Sequence, residues 1–267
     1  MTNIYRFERL IHFKEAAHDK ALTFVMPYMW DDQREGLLFR ATFSHDGVEQ
    51  VMDVAREMFK HGDLEEDFVT GLGLLLRHLR MTYLGQCWSR CQGNSTLWKN
   101  KDVRLEASRA DIALLKGVNM RDVLYLDSPS IEDGLGRLNP ERTGGGTRLD
   151  FDSMLSVKHK DYSEEDEVRL LTVEGENTNR DYADNIVFAQ VFAQQYRQGK
   201  ISRDDFESNI SHLKIIDKKK IPFGHIENFI KSVTLRSSAS AEFEKEVERF
   251  CEEYSLNYLG RWEPNAS

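Results

Sequence analysis

Cysteine is scarce in this chain, with Cys87, Cys91 and Cys251 as the three examples among 267 residues. An odd and sparse set does not make the disulfide framework of a small secreted protein, so we expect free thiols in a reducing cytoplasm. No second cysteine or histidine pair accompanies Cys87 and Cys91 at zinc-site spacing. We therefore expect no metal.

Long apolar runs are also missing. No apolar run approaches the length of a membrane span, so we expect no membrane contact. Residues 1–6 lack the apolar segment of a signal peptide, which favours a cytoplasmic protein. Positive charge is in deficit, with 36 Lys and Arg against 45 Asp and Glu, a net charge of −9. This balance argues against diffuse binding to nucleic acid, and the run Lys218–Lys220 is interpreted as a solvated loop.

Apolar and β-branched runs with short-range alternation predict a series of strands. They are expected at 3–7, 22–26, 82–88, 103–106, 118–126, 153–158, 167–173 and 231–235.

Helical periodicity appears between these strands. It predicts helices at 10–17, 46–80 in two pieces, 108–116, 179–198 and 239–254. Residues 127–150 carry Pro129, Pro140 and a Gly144–Gly146 triplet, which predict a long flexible loop. The sequence therefore predicts an α+β fold in one domain, 1–267, with a helical insertion at about 46–80 and a helical C-terminal part.

The most informative segment is the acidic run Tyr162–Leu171. Glu165 and Glu167 are expected on one strand, where side chains two residues apart share a face at roughly 7 Å. Two aligned carboxylates suit chemistry that develops positive charge on a substrate, and they suit ordinary salt bridges equally. Arg169 is expected to pair with one of them and to tune its pKa.

Two further polar residues lie on predicted strands. Arg6, between Tyr5 and Phe7, carries a planar guanidinium that matches phosphate oxygens, although a surface arginine paired with a glutamate explains it as well. Ser89 ends the strand that holds Trp88 and could orient a polar substrate or serve as a strand cap.

Together these residues resemble the Arg–Ser–Glu pattern of ADP-ribosyltransferases, with Arg6, Ser89 and Glu165–Glu167 in the same chain order. The chain also resembles a bacterial family of uncharacterised proteins associated with that superfamily. The similar landmarks are Tyr5-Arg6-Phe7, Leu22 to Asp32, Cys87-Trp88-Ser89, Asn94, Leu97-Trp98, Val123-Leu124-Tyr125, Lys158, Tyr162, Glu165, Glu167 and Arg169. Departures are the absence of Ser-Thr-Ser around Ser89 and the charged stretch after Trp98.

The resemblance implies a split β-sheet core and NAD-dependent transfer of ADP-ribose. It implies that Glu167 stabilises the oxocarbenium-like ribose and that Glu165 positions or deprotonates the acceptor. Arg6, with Tyr5 beside it, would hold the pyrophosphate, and Ser89 the ribose on the nicotinamide side. Tyr28 or Trp30 would stack on nicotinamide, unless either anchors the core or a loop.

The expected function is that of a cytoplasmic mono-ADP-ribosyltransferase acting on a macromolecule, with RNA slightly favoured over protein. Similar bacterial proteins act as toxins in phage defence, which implies an antitoxin and a chaperone as partners. Two alternatives remain open. One is an NAD glycohydrolase, and the other is a non-catalytic module that binds a nucleotide or a partner protein.

Overall fold

A computed structural model describes residues 2–27, 83–127, 141–143, 146–148, 151–173 and 217–263, with a few single positions between them. The helical insertion predicted at 46–80 lies outside them apart from Gln50, Met52, Asp53 and Glu57, each of which is helical. The helix predicted at 179–198 lies almost wholly outside them as well.

The strands, numbered in chain order, alternate with short helices. They are β1 (Asn3–Glu8), β2 (Ala21–Val25), β3 (Tyr83–Ser89), β4 (Val103–Ser108), β5 (Val118–Asp122), β6 (Leu124–Leu126), β7 (Glu141–Thr143), β8 (Gly146–Arg148), β9 (Val157–His159), β10 (Glu167–Val173), β11 (Lys218–Pro222), β12 (Ser232–Leu235) and β13 (Tyr258–Arg261). The helices are α1 (Leu10–Asp19), α2 (Arg109–Ala113), α3 (Phe151–Met154), α4 (Ile226–Phe229) and α5 (Ala241–Glu253), with a 3₁₀ helix at Lys160–Glu165.

Most of these strands belong to one sheet. Its path runs β11-β2-β3-β1-β4-β12-β13, and β10 joins β3 and carries β5 on its other side. The pairings in this sheet are antiparallel except for the parallel pair β12–β13. β6 and β9 form a small parallel pair, and β7 and β8 form a hairpin. The prediction of a mixed α+β fold is confirmed.

The sheet forks at β3, because three strands pair with it. β10 pairs with β3 along its whole length, from Tyr83 to Ser89. Since a strand has two hydrogen-bonding edges, β1 and β2 share the other one, β1 at Ser89 and β2 at Gly85. These two pairings are separated by about 13 Å of β3. β1 and β2 therefore diverge from a common strand.

The two faces of the sheet differ in chemistry. One face carries the main apolar core, built from side chains such as Ile4, Trp88, Leu105, Val168 and Val233. Helices α1 and α5 cover this core face, and the rings of Phe13 and Phe250 meet there with their centroids 5.3 Å apart.

The opposite face is the polar face. Alternation along a strand sends the neighbours of the core residues to this side. It carries Tyr5, Ser89, Arg104, Glu106 and Glu167. Tyr5 is the register partner of Ser89 and of Glu106, Ser89 is the partner of Glu167, and Arg104 lies two residues before Glu106 on β4. Each of these five side chains except Glu106 is buried, so polar groups are enclosed here, next to a small aromatic cluster of Tyr5, Phe7 and Trp98.

Helix boundaries follow local chemistry. The apolar residues Leu10, Phe13 and Ala17 recur at helical spacing and are the buried positions of α1. The helix ends at Lys20, whose φ of 53° closes it in the left-handed conformation. Ser240 starts α5, and its hydroxyl accepts a hydrogen bond from the backbone N–H of Phe243.

Four sequence predictions about secondary structure are wrong in part. Lys218–Lys220 is not a solvated loop but lies in β11, an edge strand paired with β2, where lysines are common. The strand predicted at 118–126 is two strands, because the chain leaves the large sheet at Val123 and enters β6. The predicted strand 153–158 begins as helix α3 and becomes β9 only at Val157. The predicted loop 127–150 contains the β7–β8 hairpin.

Candidate functional site

The polar face places three of the predicted site residues in one row. Tyr5 on β1 is the register partner of Ser89 on β3, and Ser89 is the partner of Glu167 on β10. Residues directly opposite in neighbouring strands project to the same side at Cα separations of about 5 Å. Tyr5, Ser89 and Glu167 therefore stand side by side on adjacent strands, although up to 162 residues separate them in the chain.

Glu167 is almost fully enclosed, with 2% of its surface exposed. One carboxylate oxygen accepts a hydrogen bond from Arg169 Nε at 2.8 Å, and the other lies 3.2 Å from Lys158 Nζ. Its backbone N–H donates to the hydroxyl of Tyr125 at 2.8 Å. The carboxylate is thus fixed between two buried cations.

Lys158 connects both glutamates, although Glu165 is not on the strand. Glu165 ends the 3₁₀ helix, and Asp166 follows it in the left-handed conformation with a φ of 44°, which interrupts the strand alternation. The prediction that the two glutamates share a strand is therefore wrong. Lys158 Nζ nonetheless lies 2.8 Å from a Glu165 carboxylate oxygen, so one ammonium group bridges the two carboxylates.

These four side chains form a chain of alternating charge, Glu165–Lys158–Glu167–Arg169, which we call the ion network. Its two carboxylates balance its two cations. The side chains of Lys158 and Arg169 have no exposed surface, and that of Glu165 is 13% exposed. A buried ion costs several kcal/mol when unpaired, so this balance is a condition for burying the network.

The electrostatics keep Glu167 ionised. Burial would raise the pKa of its carboxyl, but the charge of Arg169, then that of Lys158, and hydrogen bonds from Arg169 and Cys87 outweigh burial and lower the pKa to about 2. At neutral pH the site therefore presents a carboxylate. The prediction that Arg169 pairs with a glutamate and tunes its pKa is confirmed.

Ser89 is engaged by the backbone on both sides. Its hydroxyl donates to the carbonyl oxygen of Glu165 and accepts a hydrogen bond from the N–H of Cys91 at 2.8 Å. With 2% of its surface exposed, Ser89 links the end of β3 to the 3₁₀ helix that carries Glu165. This serine positions the segment next to Glu167.

Arg6 lies on the other face of the sheet. It follows Tyr5 on β1 and is the register partner of Leu105, a core residue, so its side chain leaves on the core face. Its guanidinium forms an ion pair with Glu8 and contacts the carbonyl oxygen of Cys87 at 3.4 Å, within the fork of the sheet. The structure therefore does not place the guanidinium of Arg6 on the face that carries Ser89 and Glu167, and its role in binding the pyrophosphate stays a prediction.

Tyr5, and not Arg6, lies beside Ser89 on the polar face. It is 7% exposed, and the guanidinium carbon of Arg104 lies 5.0 Å from the centre of its ring. Burial, and next the charge of Glu106, raises the pKa of the Tyr5 hydroxyl. Tyr28 and Trp30, the residues predicted to stack on nicotinamide, lie outside the described residues.

Sequence reasoning assigned no role to two residues of the site, Lys158 and Tyr125. Lys158 is fully buried, and its ammonium group also lies 4.7 Å from the centre of the Tyr162 ring. Tyr125 is its register partner in the β6–β9 pair, and burial is the first cause that raises the pKa of this tyrosine to about 12. A lysine inside an apolar stretch near two glutamates was the available signal for Lys158.

In the described parts of the chain, no group of three or more His, Cys, Asp or Glu side chains could hold a metal ion. Nor does any helix there have the length and apolar character needed to cross a membrane.

Comparison of the chain with known protein families, curated proteins and solved structures gave no match. The arrangement of residues on the polar face is therefore the structural basis for proposing a function.

Proposed function

We propose that this protein is an NAD-dependent mono-ADP-ribosyltransferase that modifies a macromolecule, with RNA favoured over protein. The observation that supports it is the row of Tyr5, Ser89 and Glu167 on three adjacent strands, beside Glu165. The serine and the glutamates of the Arg–Ser–Glu pattern thus meet in space. The forked sheet at β3 fits the split core that the resemblance implies.

The chemistry of the reaction matches an ionised carboxylate. Cleavage of the bond between nicotinamide and ribose gives the ribose oxocarbenium character, and a fixed negative charge lowers the free energy of that transition state. Glu167, with its pKa lowered to about 2 by Arg169 and Lys158 against the effect of burial, carries that charge at neutral pH. Glu165, at the more exposed end of the ion network, acts on the acceptor.

Burial of Glu167 adds one requirement. With its side chain 3% exposed and held by Lys158, Glu167 reaches the substrate only when Lys158 moves away from it. In the proposed cycle the substrate ribose replaces the ammonium group of Lys158 beside the Glu167 carboxylate. Lys158 remains paired with Glu165, so no buried cation is left alone.

A second candidate is a non-catalytic module that binds a nucleotide or a partner protein. The complete pairing of Glu167 within a charge-balanced and buried network favours it, because such a network stabilises one arrangement of the polar face without chemistry. In this reading the glutamates are structural. The two candidates differ in whether NAD is turned over.

Incubation of the purified protein with NAD labelled in the ADP-ribose part separates these functions. Label transferred to RNA supports the proposal, and label on protein supports the same chemistry with another acceptor. Free labelled ADP-ribose identifies an NAD glycohydrolase. No turnover with either acceptor supports the binding module.

Glutamine variants of the two glutamates test which carboxylate acts in catalysis. Glu167→Gln is expected to lower turnover by about 100-fold or more, the usual effect of removing one transition-state-stabilising group. Glu165→Gln is expected to lower transfer while retaining more NAD cleavage. Glu246→Gln, which removes an exposed carboxylate on α5, serves as the matched control with unchanged turnover. Circular dichroism of each variant shows whether a loss comes from unfolding.

The proposed biological role is that of a toxin in bacterial phage defence, restrained by an antitoxin protein with a chaperone. Expression of the chain alone is then expected to slow bacterial growth, and the Glu167→Gln variant is expected to relieve this effect at equal protein level. Equal growth with both proteins contradicts the toxin role.

A further inference from the structure

A pocket of about 720 Å³ opens on the polar face, three strands away from Glu167. The loop Gln92–Gly93 forms one wall, and Arg104 on β4 and Thr234 on β12 form its floor. Trp262, immediately after β13, forms another wall. Its volume lies within the range of small-molecule sites, about 300–1,000 Å³.

Arg104 is the unusual group in this pocket. It is 8% exposed, and burial lowers the pKa of its guanidinium, yet an arginine stays charged in proteins. Nη1 donates to the carbonyl oxygen of Gln92, and Nη2 donates to the hydroxyl of Thr234 at 2.9 Å. Both acceptors are neutral. The guanidinium carbon also lies 5.0 Å from the centre of the Tyr5 ring.

Within the part of the chain that the structure describes, the Nε–H of Arg104 is buried without a hydrogen-bond partner, and no carboxylate forms an ion pair with Arg104. A buried cation without an ion pair and a buried donor without an acceptor are both costly, and the charge of Glu106 acts on Arg104 only from beyond ion-pair distance. Arg169 differs from Arg104 in its charge partner, because it forms an ion pair with Glu167. An anion bound in the pocket would satisfy both needs of Arg104.

The pocket is lined by two other charged side chains, Arg261 and Glu263. Arg261 at the rim is paired with Glu244 at 2.8 Å, so it does not compensate an added anion. Glu263 also lines the pocket, and it is exposed to solvent. Glu263 therefore repels an anion at the rim, whereas Arg104 attracts one, so we expect an anion to bind at the floor of the pocket beside Arg104.

The aromatic wall of the pocket is Trp262. Trp262 packs against Trp98 with ring centroids 5.7 Å apart. A Cβ at Gly93 would lie within 3.0 Å of both tryptophans, and the φ of Gly93, 152°, is one that other residues rarely adopt. A glycine at this position lets the loop lie directly against the indole rings. Stacking on aromatic side chains is a common way to bind a planar base.

We propose that this pocket binds a phosphorylated nucleoside, with a phosphate group on Arg104 and the base against Trp262. Arg104 would donate its Nε–H to a phosphate oxygen, and the charge of the phosphate would compensate the buried guanidinium. The inference stands apart from the proposed function, because it rests on Arg104 and Trp262 and requires no turnover at Glu167.

Isothermal titration calorimetry of the full-length protein with ADP, adenosine and inorganic pyrophosphate tests the inference. ADP is expected to bind, and adenosine, which lacks the phosphate groups, at least about 10-fold more weakly. Arg104→Gln is expected to weaken ADP binding by about 10-fold or more. Lys14→Gln removes one positive charge from α1 on the opposite face and is expected to leave ADP binding within twofold.

Since Arg104 is buried, a second variant guards against a loss caused by misfolding. Trp262→Ala keeps the cation and removes the aromatic wall, so it is expected to weaken ADP binding severalfold and leave pyrophosphate binding unchanged. Equal binding of adenosine and ADP, unchanged affinity in Arg104→Gln, or no ADP binding at millimolar concentration would overturn the inference. ADP binding without NAD turnover supports it and contradicts the proposed enzyme, whereas turnover without ADP binding does the reverse.

Discussion

At the residue scale, the carboxylate of Glu167 makes the central contacts of the ion network. Both of its oxygens contact buried cations, Lys158 and Arg169, and its backbone N–H is bound by Tyr125. Removal of one partner from a buried ion pair leaves uncompensated charge. The same residue is thus the proposed catalyst and a structural support, and its variants must be tested for both.

Glu167→Gln is expected to lower the free energy of unfolding by about 3–5 kcal/mol, because it removes the carboxylate that lies between the buried cations Lys158 and Arg169. Glu165→Gln is expected to cost less, since that side chain is 13% exposed and water can solvate its neighbour. Urea denaturation of both variants measures the difference. A loss below about 1 kcal/mol for Glu167→Gln would contradict the structural role of the ion network.

The sequence predicted some of these residues and missed others for a physical reason. Glu167, Ser89 and the pairing with Arg169 were predictable because acidic and basic residues beside an apolar strand stand out. The side to which Arg6 points depends on the register of β1 with β3 and β4, which is a long-range property. Lys158 lies in an apolar stretch near the two glutamates, but its bridge between them depends on tertiary contacts that the sequence does not specify.

At the scale of elements, serine side chains cap the starts of α2 and α5. Ser108 precedes α2, accepts a hydrogen bond from the N–H of Asp111 and donates to its carboxylate at 2.7 Å. These bonds, first from Ser108 and then from Lys231, lower the pKa of Asp111. Ser240 caps α5 by accepting a hydrogen bond from the N–H of Phe243, and it is exposed.

Ser108→Ala is therefore expected to lower the free energy of unfolding by about 1–2 kcal/mol, and Ser240→Ala by about 0.5–1 kcal/mol. The larger effect at Ser108 follows from burial, since the freed N–H of Asp111 loses its partner where Ser108 is 4% exposed. Thermal unfolding of the two variants gives the order. A larger loss for Ser240→Ala would show that burial of the cap does not decide its contribution.

Strands with strong alternation were predictable as elements, and their connections were not. β1, β2, β3, β4, β10 and β12 each match a predicted strand to within a few residues. The break at Val123 was hidden because one apolar run serves two strands in different sheets. β13 was missed, since Tyr258–Arg261 is short and contains Gly260 with a φ of 84°.

Across the whole molecule, the sheet separates two buried carboxylates onto opposite faces. Glu167 lies on the polar face, and Glu8 lies on the core face beside Arg6. Burial opposes the ionisation of both, but Arg6 and then Lys101 lower the pKa of Glu8 to about 2, as Arg169 and Lys158 do for Glu167. Both faces therefore depend on an ionised glutamate.

This arrangement predicts a loss of stability in acid. Both folded-state pKa values, about 2, lie below the ordinary value of 4.5, so the unfolded chain binds protons first as the pH falls. The stabilisation is complete above pH 4.5 and declines between pH 4.5 and 2, by up to about 1.4 kcal/mol per pH unit for each carboxylate.

Urea unfolding at pH 3 and pH 4 is expected to show a shallower pH dependence for Glu8→Gln than for the wild-type protein, because the variant lacks the proton that Glu8 takes up on unfolding. Glu246→Gln, which removes an exposed carboxylate on α5, is expected to keep nearly the wild-type slope. Equal slopes for wild type and Glu8→Gln would mean that Glu8 titrates alike in the folded and unfolded chain. The ion pair with Arg6 would then contribute nothing to the pH dependence of stability in acid.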